Sequence, residues 1–198
     1  MNLYLIRHGE SVANVERRIS GKTDVALTEK GCDQAREVAE KLANIDFSAV
    51  YSSNLQRAMN TAKEILKGRN QELKTFKELQ ERDFGDWEGL TFEQIQQQFP
   101  EDWDIFIKKG QNTDIPGGEG ITVFYDRVKS AFENVIGRHD VNSDENICIV
   151  VHGCVLMALF SHFSHGDLSG YSKYYFENAR VNLVHHTKDY SVIRRLNA

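Results

Sequence analysis

Short apolar runs alternate with amphipathic stretches along most of this chain. Residues 3–6 (LYLI) form a first run with a strand's composition, ended by Arg7-His8-Gly9. Thr28 carries an N-cap side chain, and after it Ala35, Val38, Ala39 and Leu42 recur at helical spacing, which predicts a helix over 29–42. Residues 49–51 (AVY) predict a second strand. Ser52, Ser53 and Asn54 then offer capping side chains for the helix marked by Leu55, Ala58, Met59, Ala62, Ile65 and Leu66. The pattern further predicts a short strand at 74–76, an ordered loop at 79–89 and two short helices at 91–98 and 102–109. Residues 115–120 (IPGGEG) read as a loop, because Pro and Gly punctuate them. Phe124, Val128, Ala131, Phe132 and Val135 define another amphipathic helix. Residues 147–151 are apolar and mostly β-branched, as a central parallel strand buried on both faces must be. The helix after them, 155–163, is apolar almost all round and so buried. Residues 181–185 and 190–194 predict two last strands, paired through Lys188-Asp189.

Strands that alternate with helices predict an α/β fold, a three-layer sandwich with a mainly parallel central sheet flanked by helices. The length, 198 residues, suits one domain. Residues 1–198 therefore read as a single unit, with 90–120 as a lid-like insertion that lacks a strand. No apolar run approaches the length of a membrane span, so no membrane partner is expected. A net charge of -5 argues against a nucleic-acid partner, which needs a basic face. It leaves room for a locally positive cleft that binds a small anion. Cys32, Cys148 and Cys154 are odd in number and form no C-x-x-C, so they are not a disulfide framework. With an opening, MNLYLIRHGES, that has no signal-peptide pattern, they point to a cytoplasmic location.

Two strands each end in His-Gly: LYLI before Arg7-His8-Gly9, and ICIVV before His152-Gly153. A third strand ends just before a helix whose first turn carries Arg57. In open α/β sheets ligands bind beyond the carboxyl ends of the strands, so these groups converge on one crevice. Two arginines and two histidines suit a compact dianion, since the planar fork of Arg matches phosphate oxygens. The glycines let backbone approach closely, and a helix N-terminus adds N–H donors.

The segment Leu5-Ile6-Arg7-His8-Gly9-Glu10 resembles the signature of the histidine phosphatase superfamily, the phosphoglycerate-mutase-like family. Asn14 falls where that family places a phosphate-contacting Asn. Residues 23–31 (TDVALTEKG) resemble its D-x-P-L-T-x-x-G segment, with Ala26 replacing the usual Pro. Residues 51–58 (YSSNLQRA) resemble its second-arginine motif, 79–89 (LQERDFGDWEG) its acidic loop, and Val151-His152-Gly153 its second-histidine motif. The motifs stand in the family's order across residues 3–160. The resemblance implies that His8 attacks phosphorus and becomes a phosphohistidine. Arg7, Arg57 and His152 would bind the non-bridging oxygens and offset transition-state charge. Glu81 would protonate the leaving oxygen and then activate water. Gly9 would orient the His8 ring, and Asn14 and Gly153 would border the phosphate. No metal or cofactor is expected, because Arg and His supply the positive charge.

Among the acids, the E-R-x-F-G spacing favours Glu81 over Glu78 and Glu88. Glu10 reads as a structural partner of the site. Ser11 reads equally as a substrate contact or as the cap of a turn. Arg82 reads equally as a clamp for a substrate carboxylate or as a surface salt bridge. Asn178 and Arg180 lie in a late loop that the resemblance implies borders the pocket, where Arg180 either selects substrate or is simply exposed. His162, His165, His185 and His186 have no acidic or cysteine companion at ligand spacing. Gly117-Gly118-Glu119-Gly120 is not a P-loop, since it lacks the Gly-Lys-Ser/Thr ending. Phe84 and Trp87 read as packing residues that hold the acid loop.

The expected activity is that of a phosphomonoesterase on a small phosphorylated metabolite, of the broad-specificity or alpha-ribazole phosphatase type. The alternatives are a 2,3-bisphosphoglycerate-dependent phosphoglycerate mutase and a non-catalytic phospho-ligand-binding module. The family's mutases carry a basic, proline-rich insertion after the acid loop. Here 90–120 holds several acids, only Lys108 and Lys109 as cations, and no arginine, which favours a phosphatase. The complete set of His8, Arg57, Glu81 and His152 argues against a binding module. Tyr171, Tyr174 and Tyr175, read as exposed aromatics, suggest a pocket rim or a homodimer interface.

Overall fold

The structure is a computed structural model and describes residues 1–110 and 113–198. The strands are β1 (Asn2–Arg7), β2 (Ala49–Ser53), β3 (Leu73–Phe76), β4 (Asn146–Val151), β5 (Val181–His186) and β6 (Ser191–Arg195). The helices are α1 (Val12–Val15), α2 (Glu29–Lys41), α3 (Gln56–Leu66), α4 (Phe92–Gln98), α5 (Pro100–Lys109), α6 (Ile121–Ile136) and α7 (Gly153–His165). The sheet runs β3-β2-β4-β1-β5-β6. Its first four strands are parallel, and β5 and β6 are antiparallel to their neighbours.

Alternation along the central strands builds two cores at once. Leu3 and Leu5 of β1 and Ile147, Ile149 and Val151 of β4 point to the side covered by α6 and α7. Ile6, Cys148 and Val150 point to the side covered by α2 and α3. The predicted helical stripes are the buried ones: Phe124, Val128, Ala131, Phe132 and Val135 on α6 are each at most 4% exposed. Trp87, Ile95 and Ile115 form a third, smaller core with Ile19, Phe84, Phe99, Trp103 and Phe106, in which side chains from 90–120 pack on Trp87.

Three local readings change. The side chains of Ser52, Ser53 and Asn54 do not cap α3. Ser52 and Ser53 belong to β2, and the first-turn N–H of Gln56 instead donates to the Asp24 carboxylate at 2.8 Å, from a loop far away in sequence. Helix α5 begins at Pro100, whose fixed φ suits a first helical position. Tyr171 is not exposed: its side chain is wholly buried in the main core beside Phe124, because the chain after α7 turns back onto the helix. Of the three tyrosines only Tyr175 is exposed. The insertion prediction includes positions 111 and 112, which lie outside the described residues.

Candidate active site

Strands β1 and β4 lie in register, Arg7 opposite Val151, and the ladder continues with a 3.0 Å bond from the His8 N–H to the Val151 carbonyl. His8 and His152 thus leave adjacent strands at the same level, with ring centroids 5.2 Å apart. β2 is the other neighbour of β4, and α3 begins just beyond it, so Arg57 enters from the same edge. The crevice lies at the carboxyl ends of the parallel strands, as expected for this class of sheet.

Each cation is held in a fixed pose. Arg57 is 0% exposed, and its Nη1 and Nη2 donate to the carbonyls of Thr23 (2.8 Å) and Gly21 (2.6 Å). Arg7 Nη1 donates to the Phe176 carbonyl at 2.7 Å. The Nε of Arg7, the Nε of Arg57 and both ring nitrogens of buried His152 have no hydrogen-bond partner among the described residues. An unpartnered buried polar atom is costly, and native proteins carry few. Four in one crevice, flanked by two guanidinium groups, fit an anion with several oxygens.

The tautomer of His8 is set by the backbone. His8 Nδ1 lies 2.7 Å from the Gly9 carbonyl, which can only accept, so Nδ1 carries the proton and Nε2 keeps its lone pair. Burial, and then the Arg57 and Arg7 charges, hold the His8 imidazole well below the usual histidine range, against the opposing pull of the Gly9 bond. His152 is depressed in the same way, chiefly by burial and then by Arg57. Gly9 is required by sterics: a Cβ there would lie 2.4 Å from the Gly31 carbonyl oxygen, where the loop after β1 crosses the start of α2.

Glu81 is 9% exposed. Its Oε1 accepts from the Arg82 N–H (2.9 Å) and its Oε2 from the Cys154 N–H (3.0 Å), at the first turn of α7. Gly153 lies between this carboxylate and Arg7: a Cβ there would be 3.6 Å from Arg7 Nε and 3.9 Å from Glu81 Oε2. Glu78 is exposed. Glu88 accepts from the N–H groups of Lys22 (2.8 Å), Thr23 (2.7 Å) and Phe84 (3.1 Å), and so anchors the loop that holds Arg57.

The remaining candidates divide. Asn14 Oδ1 accepts from the N–H and hydroxyl of Ser11 (3.0 Å each), and Asn178 Nδ2 donates both to the His8 carbonyl (2.9 Å) and to Asn14 Oδ1 (3.3 Å). Asn178 therefore links Asn14 to the His8 backbone. Ser11 is buried as the N-cap of α1, in a reciprocal capping box with Asn14; of its two readings the structure displays the cap. Glu10 pairs with Lys30 and accepts from Thr28, a structural use. Arg82 departs from its surface salt-bridge reading. It is 1% exposed, and donates to the carbonyls of Thr113 (2.6 Å) and Glu119 (3.2 Å), so it ties the insertion to the acid loop instead of lying on the surface. Arg180 is partly exposed and pairs with Glu177. Phe84 and Trp87 pack in the small third core. His162, His185 and His186 bond to Tyr125, Asn2 and Ser191. Sequence reasoning passed over Arg127 and Glu119, which bind the acid loop from below. An arginine on the polar flank of an amphipathic helix has no local signature that marks such a role.

A mainly parallel sheet with two histidines and two arginines converging at its strand ends, and one buried carboxylate facing them, defines an enzyme of the phosphatase class. Residues 3–198 match the model of the Histidine phosphatase superfamily (branch 1), and the chain belongs to that superfamily. It is 31% identical over 197 residues to phosphoserine phosphatase 1 of Hydrogenobacter thermophilus, covering 100% of this chain and 92% of that protein. It is 38% identical over 162 residues to the adenosylcobalamin/alpha-ribazole phosphatase of Salmonella typhimurium, covering 81% and 78%. The crystal structure of the alpha-ribazole phosphatase from Shigella flexneri superimposes with a TM-score of 0.91 at 29% identity, covering 100% of this chain and 96% of that one.

Proposed function

We propose that the chain hydrolyses a small phosphomonoester in two displacements through a phosphohistidine at His8. The observation that carries this reading is the cluster of four unpartnered nitrogens on Arg7, Arg57 and His152 around a histidine whose Nε2 lone pair is free. Nε2 attacks phosphorus as the ester P–O bond breaks. The leaving oxygen takes its proton from the Glu81 carboxyl. Glu81, now a carboxylate, accepts a proton from water as the water oxygen attacks phosphorus, the P–Nε2 bond breaks and phosphate leaves. Arg7, Arg57, His152 and the Asn14 amide bind the non-bridging oxygens throughout. The two backbone N–H groups on Glu81 fix the direction of its carboxylate toward the crevice.

The relatives act on phosphoserine and alpha-ribazole phosphate, and we take these as the first substrates to test. The insertion supports a phosphatase over a mutase. Its only cations among the described residues, Lys108 and Lys109, lie exposed in the last turn of α5, where they favour the helix dipole and not a second phosphate pocket. The insertion sits over the small Trp87 core and is tied to the acid loop by Arg82, which supports its role as a wall or lid of the site. We further propose a cytoplasmic enzyme, on the strength of three free cysteines, and a homodimer, on that of exposed Tyr175. No helix among the described residues is long and apolar enough to cross a membrane.

The test is phosphate release from a panel of phosphomonoesters in EDTA, with His8→Ala as control. Release that persists in EDTA and disappears in the variant is expected. Release by His8→Ala at the wild-type rate would overturn the proposal.

A further inference from the structure

The acid differs from the other members of the site in its support. Arg7, His8 and His152 sit on or just past strands locked in the sheet ladder, whereas Glu81 lies on a loop between a short 3-10 turn (Lys77–Leu79) and another (Gly85–Trp87). A general acid works only within hydrogen-bond reach of the leaving oxygen, and its loop must therefore be held from elsewhere.

Arg127 of α6 does this with all five of its donors. Nη1 donates to the carbonyls of Glu78 (2.7 Å) and Gln80 (3.0 Å), and Nη2 to that of Glu81 itself (3.3 Å). Nε and Nη2 also grip the two carboxylate oxygens of Glu119 at 2.8 and 2.7 Å. Glu119 in turn meets the far side of the same loop. Its N–H donates to the Asp83 carbonyl (2.9 Å), and its own carbonyl accepts from Arg82 Nε (3.2 Å). The pair is largely buried, with side-chain exposures of 18% for Arg127 and 9% for Glu119. Burial pushes the Glu119 carboxyl up, but the Arg127 bonds and charge, with Lys22 and the Asp83 bond, outweigh it and hold the group below the usual range.

We infer that Arg127 and Glu119 are positioning residues for the general acid, a brace that clamps residues 78–83 from both sides and couples the placement of Glu81 to the seating of the insertion's last loop. The brace rests on the proposed role of Glu81. Its geometry separates it from an ordinary surface ion pair, because three carbonyls leading up to and including Glu81 accept from one guanidinium. Only the planar fork of Arg spans them; the single nitrogen of Lys does not.

The test uses leaving groups of different need. p-Nitrophenolate departs without a proton, whereas an alkoxide requires one. Since kcat/KM reports the steps up to the first phosphoryl transfer, the comparison isolates the acid role of Glu81. Arg127→Met and Glu119→Gln are expected to lower kcat/KM about 100-fold on the best alkyl phosphomonoester and less than about 5-fold on p-nitrophenyl phosphate, the pattern expected when a general acid is displaced. Glu81→Gln should give the same pattern, and adding Arg127→Met to it should cost nothing more on the alkyl substrate. Equal losses on both substrates, or additive losses in the double variant, would overturn the brace while leaving the phosphatase reading intact. The aryl substrate also reports folding, and the near-isosteric Glu119→Gln decides the matter if Arg127→Met does not fold. A wild-type protein inactive on both substrates would overturn the phosphatase reading, and the brace with it.

Discussion

Acid should unfold this protein through the two histidines of its crevice. His8 and His152 are buried, and burial followed by the neighbouring arginines keeps both well below the ordinary value of 6.5. In the unfolded chain they titrate near that ordinary value. Below about pH 6.5 the unfolded state therefore binds protons that the native state refuses, and stability must fall as pH falls. The contribution is complete above the unfolded value and is lost progressively toward the folded ones. Each histidine costs about 1.4 kcal/mol per pH unit across that window. From pH 6.5 to pH 5 the two together cost up to about 4 kcal/mol. That is a large share of the roughly 5–15 kcal/mol by which a domain is stable. The assay is urea unfolding at pH 7, 6 and 5, followed by Trp87 and Trp103 fluorescence. Phosphate must be absent from the buffer, since a ligand of the native state would mask the effect. His162 and His186 are also depressed by burial, and they contribute equally to the wild type and to a His8→Asn/His152→Asn variant. The difference between the two proteins therefore isolates the crevice. The variant should lose less stability than the wild type over the interval, by up to about 4 kcal/mol. Equal losses would mean that the crevice histidines protonate in the native state, and would refute the reasoning.

Two further substitutions probe how the crevice is supported. Gly9→Ala forces a Cβ to 2.4 Å from the Gly31 carbonyl, backbone against backbone, so neither side can yield by a rotamer change. It should cost about 2–3 kcal/mol, seen as a drop of roughly 5–10 °C in Tm. An unchanged Tm would show that the crossing of the β1 loop over α2 relaxes freely. Asp24→Ala removes the carboxylate that caps Gln56 of α3. It should cost about 1 kcal/mol in the urea midpoint, with Asp24→Asn closer to wild type because Asn also caps.

The sheet and its two cores were legible because their signals are local. A run such as 147–151 shows burial on both faces through its composition alone, and α6 shows its buried stripe through spacing. The convergence of Arg7, His8, Arg57 and His152 was legible for a related reason. A strand end followed by His-Gly puts functional chemistry where a parallel sheet binds ligands. What the sequence hid depends on contacts between distant segments. Asp24 caps a helix that begins at Gln56, although Ser52, Ser53 and Asn54 stand closer in the chain. Tyr171 looked exposed because its neighbours are polar, but the turn after α7 folds it under Phe124. Arg82 looked like a surface or substrate charge, and its partners, the carbonyls of Thr113 and Glu119, lie across a loop whose course no pattern predicts.

The same division explains how the site is built. A strand end needs little help to hold a side chain, since the ladder already fixes the backbone on either side. Arg7 and His8 inherit that rigidity from β1 and β4. Glu81, the acid of the proposed reaction, comes instead from a loop. The loop then lacks a ladder, and the substitute is a set of bonds that each look incidental in one dimension: two N–H groups to the carboxylate, a guanidinium to three carbonyls, and a glutamate that joins the guanidinium to an insertion. Residues 113–119 are therefore joined to the loop that carries Glu81. A relative with a different insertion must replace the contact that Glu119 makes with Arg127, or hold its acid by other means, and the motif around Glu81 alone would not reveal the change.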